Sequence, residues 1–246
     1  MPRVLAPVVC LVGLTSLVVG CGSGSVTRSY GTPPASPQAK AYAKAVNLRA
    51  ADVPGMVREL GEGAVGNGVP LGALDRCLGG LGRSELADAP ILSSWFVAPR
   101  RLISEHRPRN LSKLLMPPGE RVYSEVDVMR NAAIASREVA ALGSRSVRLC
   151  VKADPRTSHG KPPISHAEVY PLPAALAAAS VTGLRLEGAL PEVSHTSDAF
   201  SADTIAIASG RSVIVLYTIA WRRAFPVSTE RRLLLLLMRR AKEHQT

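Results

Sequence analysis

Residues 202–221 read Ala202-Asp203-Thr204-Ile205-Ala206-Ile207-Ala208-Ser209-Gly210-Arg211-Ser212-Val213-Ile214-Val215-Leu216-Tyr217-Thr218-Ile219-Ala220-Trp221. Two runs rich in β-branched residues flank a short Ser-Gly-Arg turn, which is the signature of a β-hairpin. In the second run Val213, Ile214, Val215 and Leu216 are apolar on both faces, so this strand is expected at the centre of a sheet, covered on each side. After it, Ser228 predicts the cap of a helix that reaches about His244 and carries five leucines from Leu233 to Leu237. Consecutive leucines cover every side of a helix. This one should be deeply packed or meet a partner, and a run of that length cannot cross a bilayer.

Upstream of the hairpin the patterns give strands at 165–170 and 182–190, after a polar loop around 155–163. Residues 132–151 carry alanine, valine and leucine at helical spacing with arginines between, which predicts one long amphipathic helix ending near Cys150. In 122–129, Val122, Ser124, Val126 and Val128 fall on one side and Tyr123, Glu125 and Asp127 on the other, the alternation of a half-buried strand. A further strand is expected at 92–97, and a short helix at 71–78 that places Cys77. Ser36 can cap a first helix with Pro37 at its first position; Ala39, Tyr42, Ala43 and Val46 give it an apolar face as far as Asn47. Asp52-Val53-Pro54-Gly55 then breaks the chain, and residues 61–68 form a glycine-rich loop. The order predicts a single α+β domain over residues 38–246, helices packed with an antiparallel sheet, and no internal repeat.

The first twenty residues carry Arg3 and then no charge through Gly20, the pattern of an export signal. The apolar run ends in Gly-Cys-Gly-Ser-Gly and is short for a comfortable span. Residues 22–37 have linker composition and predict a flexible tether with a reach of roughly 20 Å. Leu17-Val18-Val19-Gly20-Cys21 resembles the lipobox of bacterial lipoproteins. The resemblance implies removal of 1–20 as a lipoprotein signal peptide and acylation of Cys21, with 21–37 as acylated N-terminus and linker. The spacing has a chemical reason: the peptidase needs a small residue before the bond, and the thiol takes a diacylglyceryl group before cleavage. Each buried methylene contributes about 0.8 kcal/mol, and two chains anchor where one binds only marginally. The alternative is an ordinary secretory signal with a chance cysteine, which would release the protein.

Removing 1–20 takes away Arg3 and Cys10, leaving 226 residues with a formal charge of +10 and three cysteines, Cys21, Cys77 and Cys150. If Cys21 is acylated, Cys77 and Cys150 are left to form a disulfide in an oxidising compartment; two free buried thiols are the other outcome. Hydrophobic residues at 46% argue against disorder, and aromatic residues at 4% leave few stacking platforms for sugars or single-stranded nucleic acid. The basic balance favours an acidic partner, outside the cell an anionic lipid head group or an envelope polymer; nucleic acid belongs to another compartment.

Ala45-Val46-Asn47-Leu48-Arg49-Ala50-Ala51-Asp52-Val53-Pro54-Gly55 resembles a segment in actinobacterial secreted lipoproteins of unknown function. Further agreement lies in Cys77-Leu78-Gly79-Gly80, in Ser124-Glu125-Val126 and in Phe225-Pro226 followed by Glu230-Arg231-Arg232-Leu233-Leu234. More loosely, the arrangement is similar to extracellular sensor-like domains of actinobacterial kinases and to small mycobacterial lipoproteins. The resemblance implies a binding or sensing module without catalysis and lends no catalytic residues.

Gly61-Glu62-Gly63-Ala64-Val65-Gly66 matches a dinucleotide fingerprint, but the fingerprint works only between a strand and a helix, whereas 56–60 reads as helical and 67–70 as loop. His106, His159, His166, His195 and His244 include no pair at helical metal-site spacing. Ser194, His195 and Asp198 supply triad residue types within one polar turn, where triad members act from separate elements. Glu125 and Asp127 share a strand face, solvated or able to hold a cation. No cofactor or metal is therefore expected. Two basic stretches remain, Arg100, Arg101, His106, Arg107, Arg109 and Lys113, and then Arg222, Arg223, Arg231, Arg232, Arg239, Arg240 and Lys242. On one face they would bind anions through Arg100, Arg101, Arg107, Arg109, Arg222 and Arg223; dispersed, they are solubilising charge. The expectation is a non-enzymatic lipoprotein on the outer face of a cell membrane. A carrier with an apolar cavity and a cryptic hydrolase are the alternatives, and any protein partner is left open.

Overall fold

The structure is a computed structural model, and it describes residues 36–59, 73–74, 76–78, 92–98, 120–154, 164–173, 176, 180–190, 198–221 and 223–244. Along the chain run α1 (Pro37–Val46), a 3-10 turn (Ala50–Asp52), β1 (Val57–Glu59), β2 (Leu92–Val97), β3 (Arg121–Val128), α2 (Ala132–Leu142), α3 (Arg145–Ala153), β4 (Ile164–Val169), β5 (Val181–Leu190), β6 (Asp198–Ser209), β7 (Ser212–Trp221) and α4 (Val227–Glu243). Among the described residues the strands form one seven-stranded sheet in the order β1-β2-β3-β7-β6-β5-β4. Every neighbouring pair is antiparallel. The fold is α+β, as the pattern of elements predicts.

The hairpin forms where the sequence places it. Ser209 pairs with Ser212, and Gly210 takes φ 56° in the turn, a left-handed conformation that glycine adopts without penalty. β7 lies fourth of the seven strands, so both its faces are covered. Alternation sends Ile214, Leu216 and Ala220 into one core and Val213, Tyr217, Ile219 and Trp221 into the other. The first core is closed by α1 and α4 through Ala43, Val46, Leu233, Leu234, Leu237 and Ala241, the second by α2 and α3 through Ala135, Val139, Leu142, Val147 and Val151. A buried Leu, Ile or Val contributes about 1.5–3 kcal/mol over its exposed state, so two full cores on one strand make β7 the element on which both depend.

Helix α1 starts as read: Pro37 occupies the first turn and the Ser36 side chain accepts from the Ala39 amide. Four expectations change. The helix expected over 132–151 is two helices, because Gly143 ends α2 and the Ser144 side chain caps α3 by accepting from the Val147 amide. A Cβ at position 143 would lie 2.5 Å from Thr182 Cγ2, so a glycine is needed where the chain passes the sheet. The residues after the Asp52–Gly55 break are not helical; Val57–Glu59 pairs with β2, a strand too short to show a period. β3 is more than half buried, since Tyr123 on its supposed polar side is 3% exposed and packs against the second core. Helix α4 is preceded by Pro226 as its N-cap, with Ser228 already in the first turn. Of its five leucines, Leu235 faces outward at 45% exposure.

Cys77 and Cys150 form a disulfide across 73 positions, with Cα atoms 5.6 Å apart. Cys77 belongs to a short helical segment with Ala73 and Leu74, and the bridge fastens it to α3. The neighbouring Arg76–Asp154 ion pair joins the same two segments. Because closing so long a loop restricts the unfolded chain, replacing both cysteines by serine is expected to lower the urea-unfolding free energy by about 2–5 kcal/mol. Unchanged stability in the double variant would remove the bridge from the account.

Candidate functional site

Charges that stand inside apolar strands demand partners, and on the α1–α4 side of the sheet they have them. Arg185 of β5 lies opposite Asp203 of β6. Its Nε and Nη2 donate to Asp203 Oδ1 and Oδ2 at 2.7 and 2.9 Å, a fork that fits a carboxylate. The guanidinium lies 5.0 Å from the centroid of the Tyr170 ring. Tyr170 Oη donates to Glu230 Oε2 at 2.5 Å, and Thr218 Oγ1 donates to Glu230 Oε1 at 2.6 Å. Tyr170 fits against β5 because position 183 is glycine: a Cβ there would lie 2.5 Å from Tyr170 Cβ. The network ties the end of β4, three strands and the first turn of α4.

Burial pushes the carboxyls of Asp203 and Glu230 above the ordinary range; the Asp203 charge raises Glu230 further, while hydrogen bonds and the Arg185 charge oppose the rise. Burial, together with the bond to Glu230, also raises the Tyr170 hydroxyl. The Arg185 guanidinium is held protonated, first by its bonds to Asp203.

A second tie consumes part of the C-terminal basic stretch. Arg240 Nη1 and Nη2 donate to Asp52 at 2.7 and 2.9 Å, Nη1 also to the Asn47 carbonyl at 3.0 Å, and Arg232 Nη2 donates to the Asp52 carbonyl at 2.8 Å. Burial opposes the Asp52 charge, but the Arg240 and Arg49 bonds and charges outweigh it and hold this carboxyl below its ordinary range. Asn47 continues the tie, bonding the Ser124 hydroxyl and the Leu48 amide. Arg223 pairs with Glu120. Arg231, Arg239 and Lys242 stay exposed, with Arg239 3.8 Å from Glu243. Arg100, Arg101, Arg107, Arg109 and Arg222 lie outside the described residues, as do Cys21, the Gly61–Gly66 loop, Ser194 and His195. His166 is exposed beside Glu168 at 3.3 Å. Glu125 and Asp127 are half-buried and engaged with other groups. Among the described residues no group of three or more His, Cys, Asp or Glu is placed to hold a metal ion.

On the opposite side of the sheet, Arg121 stands differently. Of the three charged residues buried among those described, Asp203 and Glu230 accept hydrogen bonds, whereas Arg121, 8% exposed, has its Nε enclosed without an acceptor. The guanidinium lies 5.9 Å from the centroid of the Trp221 ring. Tyr217 shares that side, opposite Tyr123 on β3 and Thr204 on β6. The Thr204 hydroxyl is buried without a hydrogen-bond partner as well. A cation–π contact contributes about 0.5–2 kcal/mol, against an effective cost of several kcal/mol for burying a charge. Sequence pattern alone misses Arg121, because an arginine at a strand end reads as solvated.

No family model matches the chain, and no curated protein matches it. Among solved structures the chain is similar to the extracellular domain of PknH from Mycobacterium tuberculosis, with 11% sequence identity, a TM-score of 0.43, and coverage of 86% of this chain and 100% of that one. No helix among the described residues is long and apolar enough to cross a membrane.

The raised carboxyls make stability depend on pH. A carboxyl whose folded pKa lies above its unfolded value binds its proton more tightly when folded, so it contributes stability at acid pH that is lost as pH rises through the folded pKa. Glu230→Gln keeps the hydrogen-bonding shape and removes the buried charge. Its urea-unfolding free energy should fall less than that of the wild type as pH rises above the ordinary carboxylate value of about 4; parallel profiles would contradict the assignment.

Proposed function

We propose that the chain is an extracytoplasmic binding or sensing module, without catalysis, held at the outer face of a cell membrane by acylation of Cys21 after removal of residues 1–20. The observation that carries this is the Cys77–Cys150 disulfide. Such bridges persist in oxidising compartments and are rare in the cytosol. With both partners committed, Cys21 is the one cysteine of the mature chain left over, directly behind the apolar leader. A tether of 22–35, ending where Ser36 caps α1, then keeps the domain near the bilayer, where its net charge of +10 favours anionic head groups or envelope polymers.

The polar contacts are consistent with a module of this kind, since Arg185, Asp203, Tyr170 and Glu230 satisfy one another and join strands to α4. Arg231, Arg239 and Lys242, exposed on α4, contribute attraction at the surface.

Growth of expressing bacteria with labelled palmitate tests the anchor. The wild-type product should carry label and sediment with membranes, while Cys21→Ala should carry none and should lose its membrane association or remain uncleaved. Equal labelling of both proteins, or none of the wild type, would refute the anchor.

A further inference from the structure

We infer that Arg121 marks a binding site for an oxyanion, a carboxylate or phosphate group, at the end of the sheet formed by the start of β3 and the end of β7. This deepens the binding-module reading and rests on it for its biological setting alone. Elsewhere among the described residues a well-enclosed arginine meets a carboxylate through two parallel bonds, Arg185 with Asp203 and Arg240 with Asp52. Arg121 is more enclosed than a surface arginine, 8% exposed, yet it has a ring beneath it and no carboxylate beside it among the described residues. A guanidinium in such a place is preorganised: its planar fork matches two oxygens of one anion, and the ring contact holds the plane.

The surroundings suit that occupant. Trp221 and Tyr217 lie on the same side of β7 as Arg121 and flank it with aromatic rings. Arg223, two residues beyond Trp221, is joined to Glu120, the residue before Arg121, so the nearest described carboxylate is already engaged. A low dielectric around Arg121 strengthens the pairing once an anion has displaced water.

The test uses the full chain in a neutral detergent at fixed ionic strength, chloride replaced stepwise by inorganic phosphate, by acetate or by short-chain phosphatidylglycerol. Tryptophan emission and thermal midpoint are the readouts. The expected result is a saturable change in both with at least one probe, weakened at least tenfold in Arg121→Met, which keeps a similar stem and removes the charge. A response to phosphate or acetate identifies a free acid as the source, and a response to phosphatidylglycerol alone identifies a lipid head group. Should Arg121→Met fail to fold, Arg121→Lys keeps the charge but loses the fork and should bind severalfold more weakly. No saturable response to any probe in the wild type overturns the site, as does equal affinity in the variants. Because anion binding is read in solution, its failure leaves the Cys21 anchor standing, and loss of the anchor leaves the anion result intact.

Discussion

β7 is buried on both faces, and the remaining architecture follows from that constraint. A strand whose odd and even residues both leave water needs a layer on each side of the sheet, and the chain supplies two pairs of helices to do it. α1 and α4 cover Ile214, Leu216 and Ala220; α2 and α3 cover Val213, Tyr217 and Ile219. The connection from β3 through α2 and α3 to β4 carries the chain to the far edge of the sheet, and the meander β4 to β7 brings it back to pair with β3. A one-residue slip of β7 would exchange its two sets of side chains between the cores. The Ser209–Ser212 turn and ten paired residues against β6 guard against that slip.

Polar groups inside this frame divide by whether they are matched. On the α1–α4 side the buried charges pair in space although they are far apart in sequence, so each tie doubles as a long-range fastening, while the Tyr42 and Ser201 hydroxyls there are enclosed without a partner. Arg240 reaches Asp52 across 188 positions, and Tyr170 reaches Glu230 across 60. Burying these groups is costly, and the hydrogen bonds offset the cost; breaking one partner would leave the other uncompensated. Arg121, on the other side, is the buried charge that has an aromatic ring and no acceptor for its Nε.

Much of this was legible in the sequence because it is written in periodicity. The hairpin, the central place of β7, the capped helix at Pro37 and the disulfide each follow from local chemistry or from a count of cysteines. The break at Gly143–Ser144 was hidden because alanine, valine and leucine keep their helical spacing on both sides of it, and only the approach of Thr182 shows why a glycine is there. Val57–Glu59 is too short to display alternation. The Arg185–Asp203 contact left one trace, since Asp203 is a charge within an otherwise apolar strand, whereas Glu230 is buried beside exposed Arg231 and Arg232 and its burial is set by the facing Tyr170 and Thr218. Nothing in the spacing around Arg121 distinguishes it from a solvated arginine, since its significance depends on which side of β3 is covered.

Native-state hydrogen exchange measures the central constraint directly. The amides of β6 and β7, over residues 198–221, should be the slowest to exchange and should open only with global unfolding, while those of the edge strands β1 and β4 exchange earlier. If the amides of β7 exchanged as readily as those of β1 and β4, the strand would not be the shared floor of two cores, and the architecture built on it would fail.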